Sequence, residues 1–130
     1  MPLVRITLAA GRPAAERRRM ADAIHDALVR TANVPADDRF QVVQEVAPRD
    51  LIWDPAYLGQ ERSPQVVFIE ITLNTGRTIE VKKALYAAIA TGLAQAAGLR
   101  AADVLVNLVE VPTETWSYGG GVMSDPPPTT

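Results

Sequence analysis

Pro2 is the first residue whose chemistry stands out, because removal of Met1 turns it into a secondary amine at the chain terminus. A small second residue such as proline generally permits that removal. The amine is a base when neutral, a proton donor when charged and a nucleophile toward carbonyl carbons. Many chains begin with Met-Pro without any catalytic consequence, so Pro2 is a candidate catalytic residue only in combination with other groups.

Arg77 is a candidate binder of a carboxylate. It follows Gly76 at the predicted junction of a strand and a helix, where free backbone N–H groups and the helix dipole favour an anion. A guanidinium at that place matches the shape of a carboxylate. The alternative is that Arg77 only closes the turn.

Asp38 and two aromatic residues complete the candidate set. Asp38 precedes a predicted strand, so its carboxylate could orient a water, steer the prolyl proton or only cap the turn. Trp116 and Tyr118 lie beyond the last predicted strand, on a segment that continues into three glycines, and aromatic residues on such segments often line pockets. Packing against a neighbouring subunit is the alternative, and the two roles are compatible.

The composition excludes several classes of site and partner. The 130 residues contain no Cys, which excludes disulfides, thiolate nucleophiles and Cys-ligated metals. The single histidine, His25, cannot form a metal site alone, and we expect it to have a surface or packing role. The net charge of −2 gives no electrostatic reason to expect a nucleic acid. Because no apolar run is long enough to span a membrane and the N-terminus lacks a signal-peptide pattern, we expect a cytoplasmic protein.

An internal repeat organises the chain. Residues 6–46 aligned with residues 71–111, without a gap, are identical at 13 of 41 positions. In this register Pro2 corresponds to Val67, an interior strand residue without a free amine. The duplication therefore allows only one composite site that combines the amine with an arginine.

The repeat also gives two candidate residues a counterpart. Arg77 corresponds to Arg12, for which we expect a plain turn-closing role. Asp38 corresponds to Asp103, and two aspartates at equivalent strand starts favour a shared turn or capping role over catalysis.

The elements that position these residues follow from periodicity. Each half begins with a run rich in Val, Ile and Thr, at 3–8 and 66–73, and closes with a second strand, at 39–46 and 103–111. Between them, apolar residues recur every three or four positions, as in a helix: Met20, Ile24 and Leu28, then Val81, Leu85, Ile89 and Leu93. Pro13 suits a first helical turn, and Thr78 is the predicted N-cap of the second helix.

About thirty residues separate the two strands of each half, enough for a helical crossover between parallel strands. The predicted fold is α+β: two tandem, pseudo-symmetric βαβ units that form a four-stranded sheet with two helices on one face. We expect a single domain over 1–130, made of repeat 1 at about 2–47, a connector at 48–64 and repeat 2 at about 65–112. A C-terminal segment follows at 113–130, and its tail at 124–130 is expected to be disordered.

The pattern also predicts an assembly. The runs 66–69 and 104–106 are apolar on both faces, whereas two helices cover only one face of a sheet. Another copy of the chain is the simplest cover for the second face, so we expect a closed homo-oligomer. The connector is too apolar for a solvated loop, and we expect it to pack on something.

Together these features resemble the tautomerase superfamily. The residues that carry the resemblance are Pro2 at the start of a strand, the two fused βαβ units and the turn Gly76-Arg77-Thr78-Ile79-Glu80. Three segments are most similar to its malonate semialdehyde decarboxylase branch: Val34-Pro35-Ala36-Asp37-Asp38-Arg39-Phe40-Gln41, Arg62-Ser63-Pro64 and Trp116-Ser117-Tyr118-Gly119. The resemblance covers about residues 2 to 121.

The resemblance implies a cofactor-independent homotrimer, without a metal, that acts on a small oxo-carboxylic acid. It implies that Pro2 is the catalytic amine, that Arg77 binds the carboxylate and that Asp38 takes part in proton handling or hydration. It further implies that Trp116 and Tyr118 form part of an apolar pocket wall.

One position departs from the family pattern. The well-known decarboxylase has a second arginine two residues before the position of Arg77, where this chain has Thr75. Carboxylate binding is therefore expected to be weaker, or to be assisted by Arg39 or Arg62. Arg39 and Thr75 join the candidate substrate-binding residues on this ground.

Three hypotheses for the function follow. The first is decarboxylation of malonate semialdehyde or a similar 3-oxo acid, with a charged Pro2 or its iminium stabilising the enolate or enamine. The second is keto–enol tautomerisation or hydration of a 2-oxo or unsaturated acid, with a neutral Pro2 as the base for tautomerisation. The third is an oligomeric module that binds an anion or ligand at Arg77 without catalysis.

Overall fold

Four strands form one mixed sheet in the order β2–β1–β3–β4. In this computed structural model, which describes residues 2–124, β1 (Leu3–Ala9) pairs in parallel with β2 (Phe40–Val46), and β3 (Val67–Asn74) pairs in parallel with β4 (Val104–Val111). The two halves join where β1 and β3 lie antiparallel at the centre of the sheet. The predicted fold class is confirmed. Of the tail predicted to be disordered, all but Ser124 lies outside the described residues.

Two helices supply the crossovers. Helix α1 (Ala14–Thr31) joins β1 to β2, and α2 (Ile79–Ala97) joins β3 to β4. The Thr78 hydroxyl accepts a hydrogen bond from the N–H of Val81 at 3.2 Å, so the predicted N-cap is confirmed. At the other helix Pro13 lies one residue before the first helical turn rather than in it.

The core lies between these helices and one face of the sheet. Alternate residues of the two central strands point toward the helices, because successive side chains of a strand face opposite sides. They are Val4, Ile6 and Leu8 of β1 and Val67, Ile69, Ile71 and Leu73 of β3. The predicted helical stripes meet them: Met20, Ile24, Leu28, Leu85, Ile89 and Leu93 are all buried. Burial of each such side chain stabilises the folded state by about 1.5–3 kcal/mol.

The repeat seen in the sequence extends to conformation. Gly11 and Gly76, which lie two residues after the first strand of each half, have φ values of 131° and 125°, a region that residues other than glycine rarely adopt. Two ion pairs correspond at the same offset: Arg17–Glu45 at 3.3 Å and Lys82–Glu110 at 2.6 Å. The halves are therefore related by a pseudo-twofold axis. A difference between two equivalent residues is then a property of one half and not of the shared fold.

The second face of the sheet is open. Val42 and Leu105 on that face are 42% and 43% exposed, as expected for a surface that another chain covers. In the connector Leu51 is buried, whereas Ile52 and Leu58 are 83% and 79% exposed, so within one chain the connector packs only in part.

Two further expectations concern His25 and membrane-spanning segments. His25 is buried, and its Nε2 lies 2.8 Å from the carbonyl oxygen of Ala36, which is a packing role. No helix within residues 2–124 is long and apolar enough to cross a membrane.

Candidate active site

Pro2 lies at the edge of the sheet where β1 and β2 begin and β3 ends. Leu3 pairs with Phe40 on one side and with Thr72 on the other, so the residue before it is held at the centre of that edge. Pro2 is buried there, beside a cleft of about 180 Å³. The residues that line the cleft are Pro2, Leu3, Phe40, Trp116, Ser117 and Tyr118.

Arg77 follows the end of β3. Its Nε donates to the carbonyl oxygen of Ala32 at 3.0 Å, and its Nη1 donates to the carbonyl oxygen of Asn74 at 3.2 Å. The third nitrogen, Nη2, is buried and has no hydrogen-bond partner among residues 2–124. Burial lowers the pKa of Arg77, and the carboxylates of Glu110 and Asp38 oppose that shift. A buried cationic donor without an acceptor is suited to an anionic ligand.

Arg12, the repeat counterpart, is in a different state. Its Nη1 bonds Glu16 at 3.0 Å, and its Nη2 bonds Gln65 at 2.6 Å. Both terminal nitrogens therefore have protein partners, one on α1 and one just after the connector. The hydrogen-bond partners of Arg77 therefore differ from those of its counterpart.

The two aspartates have diverged in a similar way. Both backbone N–H groups close the same turn, to Pro35 from Asp38 and to Arg100 from Asp103, each at 3.0 Å, so the shared turn role is present. The side chains differ. Asp103 is 1% exposed and accepts from the N–H and hydroxyl of Ser63 at 2.6 and 2.7 Å. Asp38 instead lies near enough to Arg77 to influence its pKa.

The aromatic wall is bonded to the end of β3. The indole Nε1 of Trp116 donates to Oδ1 of Asn74 at 2.8 Å, and the Trp116 and Tyr118 rings lie 5.5 Å apart at 32°. Burial raises the pKa of Tyr118 and the charge of Asp38 raises it further, whereas hydrogen bonds with the side chains of Ser124 and Asn74 lower it. Tyr118 is thus a neutral phenol at physiological pH.

Arg39 and Arg62, which we expected to assist Arg77 in binding a carboxylate, have other hydrogen-bond partners within the chain. Arg39 bonds Asp22 at 2.6 Å and Gln41 at 2.8 Å, against α1. Arg62 donates to the carbonyl oxygen of Tyr57 at 2.9 Å, within the connector. Like Arg77 and Asp38, neither residue is among those that line the cleft beside Pro2.

Thr75 follows directly on β3. Its N–H bonds the carbonyl oxygen of Val111 at 3.1 Å, and the residue is exposed.

Among the described residues, no group of three or more His, Asp or Glu side chains could hold a metal ion.

Sequence reasoning missed Asn74. It is a polar residue at the end of the apolar strand β3, it is 4% exposed, and it touches both Arg77 and Trp116. The signal was present in the repeat, because the counterpart of Asn74 is Ala9, which has no polar side chain. Phe40, which also lines the cleft, was noted only as part of a motif.

Comparison with known families gives a consistent result. A family model described as a tautomerase enzyme matches residues 38–119, and a second model with the same description matches residues 2–61. The probable tautomerase YusQ of Bacillus subtilis is 38% identical over 121 residues, which cover 93% of this chain and 95% of that protein. The probable tautomerase YrdN of the same organism is 31% identical over 121 residues, 93% of each chain.

Solved structures share the fold. The FG41 malonate semialdehyde decarboxylase inhibited by 3-bromopropiolate is 43% identical, with a TM-score of 0.87, covering 92% of this chain and 91% of its own. A second malonate semialdehyde decarboxylase, described with decarboxylase and hydratase activities, is 33% identical with a TM-score of 0.87 and 92% coverage of both chains. A fused 4-OT described as a symmetric trimer has the same fold at 24% identity, with a TM-score of 0.78 and coverage of 93% and 94%.

Proposed function

The chain belongs to the tautomerase superfamily, and on that premise we propose that it decarboxylates malonate semialdehyde or a similar small 3-oxo acid, with Pro2 as the catalytic amine. The observation that carries the proposal is the pairing of two features at one edge of the sheet. Pro2 borders an aromatic cleft, and Arg77 holds a buried nitrogen without a protein partner among residues 2–124. Asn74 links the two, because it bonds both Arg77 and the cleft residue Trp116.

The similarity to solved structures supports this choice of substrate class. Two malonate semialdehyde decarboxylases share 43% and 33% identity over 92% of this chain. The cleft of about 180 Å³ suits a molecule of a few carbon atoms. The proposed substrate is therefore a short oxo acid rather than a large one.

In the proposed reaction Arg77 binds the carboxylate and Pro2 acts on the carbonyl group. In one route a protonated Pro2 donates a hydrogen bond to the aldehyde oxygen. The electrons of the breaking C–C bond move to form an enolate, CO₂ leaves, and a proton adds to the carbon. In the other route a neutral Pro2 attacks the carbonyl carbon, water leaves, and the resulting iminium accepts those electrons as an enamine. Protonation and hydrolysis of the enamine then release the aldehyde.

The surroundings of the cleft favour the loss of charge. Phe40, Trp116 and Tyr118 present aromatic surface to the substrate. A carboxylate next to such a surface loses much of its hydration, whereas the departing CO₂ is neutral and does not. Asp38, near Arg77 and Tyr118, is proposed to handle a proton or a water.

A tautomerase activity is the second candidate, and the curated relatives support it. Both Bacillus subtilis proteins are described as probable tautomerases, at 38% and 31% identity. In this reaction a neutral Pro2 removes a proton from the carbon next to the carbonyl of a 2-oxo acid and returns it to oxygen, or the reverse. Hydration of an unsaturated acid is a further option, since one of the similar decarboxylases is described with a hydratase activity.

We also propose that the enzyme is a homotrimer. The open face of the sheet carries Val42 and Leu105, and the connector exposes Ile52 and Leu58. A solved relative with the same fold is described as a symmetric trimer. Covering these surfaces with copies of the chain removes apolar area from water.

The test begins with the amine. The intact mass of the purified protein is measured before and after incubation with a 3-oxo acid or a 2-oxo acid and borohydride. Absence of Met1 together with a substrate-sized adduct at Pro2 supports the iminium route, and decarboxylase and tautomerase assays are then run side by side. If Met1 is retained in the natural host, Pro2 is an amide nitrogen and the proposed mechanism is wrong.

A further inference from the structure

His25 is a buried residue of α1 that faces the turn carrying Asp38. Its Nε2 lies 2.8 Å from the carbonyl oxygen of Ala36, and the residue is 8% exposed. Because a carbonyl oxygen can only accept a hydrogen bond, a neutral His25 must carry its proton on Nε2. His25 therefore ties α1 to residues 35–38. We call these residues the Asp38 turn, and the bond from the Asp38 N–H to the carbonyl oxygen of Pro35 closes it at 3.0 Å.

Two further hydrogen bonds tie the residues after this turn to the same helix. Nη2 of Arg39 donates to Oδ1 of Asp22 at 2.6 Å, and Nε2 of Gln41 donates to the backbone oxygen of Ala21 at 2.8 Å. Together with the bond of His25, three polar contacts hold the chain from this turn into β2 against about one turn of α1.

The second repeat lacks the side chains for these contacts. In the alignment of the repeats, the counterparts of the four side chains are all apolar and cannot form hydrogen bonds. They are Ala87 and Ala90 on α2, in place of Asp22 and His25, and Val104 and Val106 on β4, in place of Arg39 and Gln41. Because both halves have the same fold, a βαβ unit forms without these contacts. They are specific to the half that contains Asp38.

The second repeat anchors its turn in a different way. Asp103, the counterpart of Asp38, accepts hydrogen bonds from the N–H and the hydroxyl of Ser63 at 2.6 and 2.7 Å, so the aspartate side chain is itself the anchor. In the first repeat the bond runs from His25 to a backbone carbonyl and does not involve the aspartate side chain. The half that contains Asp38 thus anchors its turn from outside.

Helix α1 also contacts Arg77. Nε of Arg77 donates to the carbonyl oxygen of Ala32, the residue that caps the C-terminus of the helix, at 3.0 Å. The guanidinium and the Asp38 turn are therefore both attached to the same helix. Their separation depends on how firmly each is bonded to α1.

We propose that His25 is a positioning residue for the reaction: it anchors the Asp38 turn to α1 and so sets the place of Asp38 relative to Arg77. Arg39 and Gln41 support the same segment from the strand side and do not need to touch the substrate. The inference rests on the proposed function, because it assumes that Asp38 handles a proton or a water. A displaced group of this kind slows the reaction without weakening the grip on the carboxylate.

The first test is a double-mutant cycle on kcat. His25→Leu removes the donor, and it should lower kcat for a 3-oxo acid roughly 10-fold to 100-fold. KM should stay nearly unchanged, because the hydrogen bonds of Arg77 are intact. In an Asp38→Ala background His25→Leu should have almost no effect on kcat, since a positioning residue acts only through the group that it places. His25→Gln should recover most of kcat, because its amide nitrogen can donate to the same carbonyl oxygen.

The second test needs no activity and measures amide hydrogen exchange by NMR. The N–H groups of Asp38 and Asp103 close equivalent turns at 3.0 Å, so Asp103 is the matched control. His25→Leu should speed exchange at Asp38 roughly 10-fold, as expected for the loss of one hydrogen bond, and leave Asp103 unchanged. Ile89→Val removes one methyl group from the core, and it should lower the Tm without a selective effect on the Asp38 amide.

A third measurement, on the unaltered protein, serves if His25→Leu does not fold. His25 is the single histidine of the chain, so its imidazole signals need no assignment. At a pH where the ring is neutral, the ¹H–¹⁵N spectrum should show the proton on Nε2, the nitrogen that faces Ala36.

Four results would overturn the inference. They are unchanged exchange at the Asp38 N–H in His25→Leu, equal losses of kcat with and without Asp38, a His25→Gln variant no better than His25→Leu, and a neutral His25 with its proton on Nδ1. Failure of the proposed function looks different. An unaltered protein that is inactive in every assay overturns that function, whereas the exchange data alone decide whether His25 anchors the turn.

Discussion

Arg77 and Arg12 occupy the same turn of the two repeats, but only Arg77 keeps a buried guanidinium nitrogen without a protein partner among residues 2–124. The terminal nitrogens of Arg12 are taken by Glu16 and Gln65. The preceding glycines, Gly11 and Gly76, have nearly equal φ values, so the backbone does not cause the difference. The difference comes from the side chains that surround each guanidinium, and it makes the two arginines a matched pair for experiment.

The first prediction compares Arg77→Ala with Arg12→Ala. Loss of Arg77 should lower kcat/KM for a 3-oxo acid by roughly 100-fold, because a charge-assisted hydrogen bond to the carboxylate is lost. Loss of Arg12 should lower the Tm and leave kcat/KM nearly unchanged, since it removes a contact to Glu16 that is remote from the cleft. Equal effects of the two variants on kcat/KM would contradict the assignment.

The second prediction concerns the amine of Pro2. A glycine inserted between Met1 and Pro2 converts the proline nitrogen into an amide, so kcat should fall roughly 10²-fold to 10⁴-fold, the range for loss of a general acid or base. Borohydride trapping at the proline nitrogen should disappear at the same time. Pro2→Ala is the control, because its primary amine can still be trapped. Full activity of the insertion variant would remove Pro2 from the mechanism.

The third prediction uses Asp103 and Asp38. Burial by itself would raise the pKa of Asp103, but hydrogen bonds from Ser63 and the charge of Arg100 lower it overall. A carboxyl whose pKa is lower in the folded state contributes stability above its unfolded value of about 3.9, and that stability is lost as the pH falls through the folded-state value. Asp103→Asn should therefore destabilise the protein at pH 7 by about 1.5–3 kcal/mol.

The difference in free energy of unfolding between Asp103→Asn and the unaltered protein should shrink below about pH 4. Urea denaturation at several pH values measures it. Asp38→Asn serves as the comparison and should act mainly on kcat. A loss at Asp103 that is independent of pH would show that its charge has no part in the stability.

The fourth prediction concerns the ionisation of the Tyr118 phenol at alkaline pH. Burial raises the pKa of Tyr118, so the phenol of the folded protein should ionise above pH 10. A group with a raised pKa contributes stability below its unfolded value and loses it as the pH rises through the folded value. The ultraviolet difference titration between the unaltered protein and Tyr118→Phe should show a step above pH 10, and a step below pH 10 would contradict the raised pKa of Tyr118.

The fifth prediction concerns assembly. Sedimentation should give a mass of about three chains of 14.0 kDa. Leu105→Glu places a charge on the open face of the sheet, where Leu105 is 43% exposed, and should shift the protein toward the monomer. Ala84→Glu, on the exposed surface of α2, is the control and should leave the mass unchanged. A monomeric unaltered protein would contradict the proposed trimer.

The sequence by itself determined the repeat, the order of strands and helices and the side of each helix that is buried. These properties depend on periodicity and on local caps such as Thr78, and a chain carries both in the spacing of its residues. The single composite site also followed from the sequence, because Pro2 has no counterpart with a free amine. The candidates Pro2, Trp116 and Tyr118 lie together at one cleft in the structure.

Only the tertiary structure decided which of the two equivalent arginines keeps a buried guanidinium nitrogen without a hydrogen-bond partner among residues 2–124. Asn74 and Trp116 are 42 residues apart, and Asp103 and Ser63 are 40 apart, so neither contact has a local signal. Sequence reasoning made Arg39 a candidate substrate-binding residue, and only the structure shows that within one chain it bonds Asp22 on α1. A hydrogen bond forms only between groups that folding brings within bonding distance. The periodicity of the sequence does not show which residues far apart along the chain become neighbours in space.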